Sequence, residues 1–147
     1  PTVGRSFSIT ADVVVPANGA NGVVLAQGGR FSGYSLYLQD GKPAFHYNAV
    51  PPQRSTVASA TPLGAGAHRI GFRFAADSAA PGGGGQGVLT VDGAVVAEGR
   101  IAHSAGRWIS HTEGLDVGAD TITAVSDDYM APARFTGTIE KVNVTVE

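Results

Sequence analysis

The sequence contains no cysteine. That excludes a disulfide framework, a thiolate zinc site and a cysteine nucleophile. Aromatic residues make up only 7%, and the ten lysines and arginines are scattered without forming a run. Net charge is −2, so no pull toward nucleic acid or an anionic membrane is expected. No apolar run is long enough to span a bilayer as a helix. Pro1 to Ser8 carries no signal-type apolar stretch. The chain opens abruptly on a strand-like pattern, which leads us to expect an excised piece of a longer protein. Its compartment would then be set by sequence upstream.

What is present fits one domain over residues 1–147, with 43% hydrophobic and 15% charged residues. At this length a core can form without disulfide or metal. The dominant pattern has period two. Phe7, Ile9, Ala11, Val13 and Val15 alternate with polar residues, as in a strand with one buried face. The short apolar run from Val23 to Gln27 predicts a strand buried on both faces. Tyr34, Leu36 and Leu38 share one face, as do Phe45 and Tyr47, with Asp40-Gly41 between the two runs. Asp-Gly between alternating runs predicts a hairpin, because both residues tolerate the positive φ of a type I′ turn. Asp92-Gly93 repeats the signal. Near the end, Phe135 and Ile139 lie on one parity and Val142, Val144 and Val146 on the other, which predicts a β-bulge near Glu140. The strong terminal strands are expected to pair within the body of the domain. No segment reads as a long amphipathic helix. Roughly ten short strands separated by turn signals predict an all-β fold, a two-sheet antiparallel sandwich or jelly roll.

The residues that could carry chemistry are few. His46, His68, His103 and His111 form no short-spaced metal pair. His46 alternates with Phe45 and Tyr47, so it should face away from the core, as a surface or groove-lining residue. Gly82 to Gly85 lacks the Lys-Ser/Thr pair and the helix of a phosphate loop, and reads as a surface loop. Asn143-Val144-Thr145 matches a glycosylation sequon inside a predicted strand. Asp116, Asp120, Asp127 and Asp128 fall within thirteen residues. They could supply oxygen ligands to a structural Ca²⁺, or simply cap turns in a solvated loop. Among the aromatics able to stack on a sugar (Tyr34, Tyr37, Tyr47, Tyr129 and Trp108), only Tyr37 has a clearly outward parity. A ligand groove would be lined by Tyr37, His46, Asn48 and Arg54.

The runs SFSITADV (6–13), GVVLAQGGRF (22–31) and GYSLYLQDGKP (33–43) resemble the C-terminal domain of large bacterial arylsulfatases. The similarity continues in order through FHYN (45–48), LTVDG (89–93), AEGRI (97–101), LDVGAD (115–120) and FTGTIEKV (135–142). The last motif is also shared with concanavalin A-like and laminin-G-like sandwiches. The resemblance implies a parent that hydrolyses sulfate esters with a formylglycine and a divalent metal. Neither feature is encoded here; Ser104-Ala105-Gly106-Arg107 comes nearest to a formylglycine motif, with the wrong residue and spacing. The chain departs from the family at Pro51 to Arg54 and at Ile122 to Ala124. The expectation is a non-catalytic accessory domain, inactive alone, partnered by an upstream sulfatase catalytic domain. The competing expectation is a carbohydrate-binding, lectin-like module whose partner is a glycan. A free-standing glycosidase would need two facing carboxylates about 5–10 Å apart, and the outward strand positions are mostly Ser, Thr, Arg and Gln. Oligomeric state is not legible.

Overall fold

The computed structural model describes residues 2–111 and 113–147. The described residues form ten strands and no helix. They are β1 (Phe7–Val15), β2 (Gly22–Gly29), β3 (Ser32–Gln39), β4 (Lys42–Val50), β5 (Gln53–Ala58), β6 (Gly66–Ala76), β7 (Gly85–Val91), β8 (Ala94–Ile101), β9 (Leu115–Val117) and β10 (Thr138–Val146). Two five-stranded antiparallel sheets result, in the orders β10-β1-β6-β7-β8 and β5-β4-β3-β2-β9. This is the expected all-β sandwich.

Local sequence explains the register. Asp40 and Gly41 have φ of 51° and 73°, and Asp92 and Gly93 have φ of 51° and 84°. Both turns therefore use the left-handed conformations that an Asp-Gly pair tolerates. On the paired terminal strands, Asp12 faces Lys141 but Val13 faces Ile139, so Glu140 is the extra residue of a bulge. That one insertion lets both Ile139 and Val142 pack against the core.

Between the sheets, Phe45 and Phe72 stack with centroids 3.6 Å apart at 9°, and Phe7 stacks on Tyr34 at 5.1 Å. Each buried Phe contributes about 1.5–3 kcal/mol of hydrophobic free energy. Strand β2 is buried on both faces: Val24 and Leu25 enter the main core, while Val23 and Ala26 enter a second apolar cluster.

That second cluster has a roof. The acidic segment begins as strand β9, paired to Leu25–Gln27, rather than as a loop throughout. From residue 119 to residue 133 the chain then crosses the outer face of the β3–β4 sheet. Val125, Tyr129 and Ala133 pack there on Val23, Ala26, Tyr37 and Ala44. Backbone bonds from Val23 N to Ala133 O (2.8 Å) and from Asp120 N to Pro132 O (2.8 Å) fix the segment.

Candidate functional site

The four expected groove residues do share the outer face of one sheet, as their parity requires. The roof makes that face an interior, however, and this corrects the expectation of an open groove. Tyr37 is 1% exposed; its ring meets Tyr129 edge-on at 5.1 Å and its hydroxyl donates to Asp128. His46 is buried rather than on the surface, with Nδ1 2.7 Å from Thr56 Oγ1. Burial holds its pKa below the usual histidine range. Asn48 donates to the carbonyl of Arg30 at 2.6 Å and to that of Val125 at 3.5 Å. Arg54 pairs with Asp127. Tyr37, Asn48 and Arg54 thus bolt the roof to the sheet, while His46 bonds within the sheet.

The four aspartates are not gathered around one point. Asp116 accepts from Thr121 N (2.9 Å) and Oγ1 (2.6 Å). Asp120 accepts from Val125 N (2.9 Å) and the Tyr129 hydroxyl (2.6 Å). Asp127 goes to Arg54 and Asp128 to Tyr37. Among the described residues no three His, Asp or Glu side chains form a group that could hold a metal ion. A Ca²⁺ site would need carboxylates that converge on one point. Here each aspartate is taken up by its own donors instead.

Carboxylates do meet in one cavity, lined by Asp12, His68, Arg69, Asp92 and Glu140. Glycoside hydrolysis needs a carboxyl group kept protonated. Asp12 is held the other way, its pKa lowered by the hydrogen-bonded Arg69. The pKa of Asp92 is lowered by the Arg69 backbone N–H and then by His68. Asp12 and Asp92 are therefore committed to ion pairs with Arg69 and His68.

The open chemistry lies at one end of the sandwich. Arg30 and Phe31 form the two-residue tip between β2 and β3, where Gly29 pairs with Ser32. Beside it runs the loop from β8 to β9. Ser32 Oγ donates to Trp108 O at 3.2 Å, and Ser110 N donates to Ser32 O at 3.2 Å. Ile109 is buried and anchors that loop in the core. It fits because Gly28 has no side chain: a Cβ there would lie 2.5 Å from Ile109 Cγ2. Likewise a Cβ on Gly29 would lie 2.5 Å from both Glu113 Oε1 and Thr123 Oγ1. Glu113, buried, accepts from Thr123 N at 3.0 Å and from its hydroxyl.

This scaffolding leaves Phe31 64% and Trp108 51% exposed. Together with Ser110 and His111 they line a cavity of about 510 Å³. The His111 ring stacks on Trp108 at 6.3 Å and 21°. A second cavity of about 480 Å³ shares Trp108, Ser110 and His111 and adds Gln27, Arg107 and Glu113. Two large rings held in water on separate, mutually bonded loops are the feature of a binding surface rather than of a core. The sequence marks Trp108 as a stacking candidate but not Phe31. The available signal was its place: a bulky aromatic in a two-residue turn, where Gly, Asn or Asp is usual.

No protein-family model and no curated protein matches the chain. Solved structures do. The mouse laminin α1 chain, domains LG4-5, is similar over 99% of this chain and 36% of that one, at 20% identity and a TM-score of 0.70. The CBM40 of the Ruminococcus gnavus IT-sialidase, bound to α2,3-sialyllactose, is similar over 95% of this chain and 75% of that one, at 16% identity and a TM-score of 0.64. The chain thus has the jelly-roll sandwich fold of laminin G and CBM40 domains. It spans about a third of the laminin chain's length.

Proposed function

We propose that the chain is a non-catalytic glycan-recognition module whose ligand sits on the cleft of Phe31, Trp108 and His111. The observation that carries this is the pair of half-exposed rings around one cavity. Sugar rings present apolar C–H faces that stack on aromatics, while His111 supplies ring nitrogens for the hydroxyls. The fold supports the same reading, since a CBM40 of similar architecture is described with a bound sialyllactose. Titration calorimetry of the whole chain against a panel of oligosaccharides tests it. Saccharide binding that Trp108→Ala abolishes is the expected result. Binding that survives in both Trp108→Ala and Phe31→Ala would place the ligand elsewhere.

A second reading, docking on an upstream sulfatase catalytic domain, is compatible with the first. It is supported by the strand motifs and by the edge strand β9, where Leu115 and Val117 are 50% and 54% exposed. The coding sequence upstream of Pro1 decides it. A Cys- or Ser-based formylglycine motif there supports a sulfatase parent, and any other neighbour removes it.

A further inference from the structure

We infer that the saccharide taken by this cleft is anionic, with a carboxylate or sulfate received by Arg107; this rests on the glycan reading above. The argument begins with how the arginines are used. Arg54, Arg69, Arg73 and Arg100 each hold a carboxylate, on Asp127, Asp12, Glu147 and Asp77. Arg107 does not: among the described residues its side chain enters no salt bridge, although the chain carries more acidic than basic residues. An exposed arginine without a partner is by itself unremarkable, because water solvates it well.

Position decides the matter. Arg107 lies on the cavity wall directly before Trp108, and that wall continues into the aromatic cleft through Ser110 and His111. Arg5 and Arg134 also stand outside the salt bridges, yet neither shares a cavity wall with a ring more than half exposed. The carboxylate on the same cavity wall, Glu113, is 6% exposed and accepts from Thr123 N with both its oxygens. It forms no salt bridge with the guanidinium. A planar guanidinium offers paired N–H donors that match the spacing of two oxygens on one anionic group. Stacking on Trp108 and a fork of donors beside it together specify a sugar ring with a charged substituent. Arg30, on the adjacent hairpin tip next to Phe31, likewise enters no salt bridge among the described residues and adds positive charge at the same end.

The test is calorimetry of the full chain with three matched probes: lactose, 3′-sulfolactose and 3′-sialyllactose. At least one anionic probe is expected to bind about tenfold or more tightly than lactose, with the preference weakening as salt is raised. The sulfate and carboxylate arms identify which anion is read. Arg107→Ala is expected to bring the ratio of anionic to neutral affinity close to one, and Arg107→Lys to restore part of it. Equal binding of all three probes by the unmodified chain would overturn the anion inference and leave the glycan reading standing. Binding of none would overturn both, as would partition onto phosphatidylserine vesicles without saccharide binding. A preference that persists in Arg107→Ala would overturn the assignment to Arg107.

Discussion

The Tyr129 hydroxyl donates to Asp120 Oδ2 at 2.6 Å, while its ring packs edge-on against Tyr37. Ser35 Oγ lies 2.9 Å from the same hydroxyl, so one residue joins the roof to β3. The Asp120 carboxyl that it serves is fully buried. Burial is the main cause raising its pKa above 3.8, and the hydrogen bonds from Tyr129 and Val125 oppose it. A pKa raised on folding means a contribution that is full below the unfolded value and lost as pH rises through the folded value. Replacing Asp120 by Asn keeps the acceptor and removes the charge. Urea midpoints between pH 4 and pH 7 should fall less for Asp120→Asn than for the unmodified chain. Parallel curves would show that Asp120 does not titrate as argued.

His68 supplies the opposite case in the open. Its Nδ1 lies 2.7 Å from Asp92 Oδ2 and its Nε2 lies 2.8 Å from the Gly64 carbonyl. Both partners are acceptors, so both ring nitrogens must carry hydrogen. The bond to Asp92 raises the pKa above 6.5. The stabilisation is therefore complete below the ordinary histidine pKa and is lost as pH rises through the raised one. For a pair this exposed the effect should be under about 1 kcal/mol. The difference in denaturation free energy between the unmodified chain and His68→Gln should shrink from pH 5.5 to pH 8.5. A difference that grows with pH contradicts the imidazolium assignment.

Gly28 should be intolerant for two reasons. Its φ of +78° is unfavourable for any side chain, and its Cβ would press on Ile109. Gly28→Ala is expected to cost about 1–3 kcal/mol. It should also loosen the loop that carries Trp108, the sole tryptophan. Intrinsic fluorescence then reports on the site directly: a shifted emission maximum together with weaker saccharide binding is expected. An unchanged spectrum would mean that Ile109 does not anchor the loop.

The exposed rings and the core rings should separate cleanly by stability. Trp108→Ala and Phe31→Ala are expected to change unfolding free energy by no more than about 0.5 kcal/mol, as for other surface positions. Phe72→Ala, which removes the stack on Phe45, should cost about 3–5 kcal/mol. Chemical denaturation of the three variants checks this. A large loss at Trp108 would make its ring a structural one.

Much of the fold was legible because period-two patterns and Asp-Gly turns are local. The parity of β1, both hairpins and the insertion at Glu140 can be read within ten residues of sequence. What parity gives is a face, however, not whether that face is covered. Tyr37, His46 and Asn48 point away from the core as read, but the roof from residue 119 to residue 133 buries them. The bond between Tyr129 and Ser35 that ties the roof to β3 spans 94 positions, which no window of sequence contains. The cleft was harder still. Phe31 and Trp108 sit in connections, where no period marks them, and they meet only because Ser32 bonds to the Trp108 loop.

The vacant volumes at Gly28 and Gly29 also bear on how such a domain could change its target. They seat Ile109 and Glu113, and so fix the path of the loop independently of what its tip displays. Positions 30, 31, 107, 108 and 111 contribute little to the main core. A library randomised at those five positions should therefore yield folded proteins at high frequency, making the sandwich a chassis on which ligand preference is rewritten without redesigning its sheets.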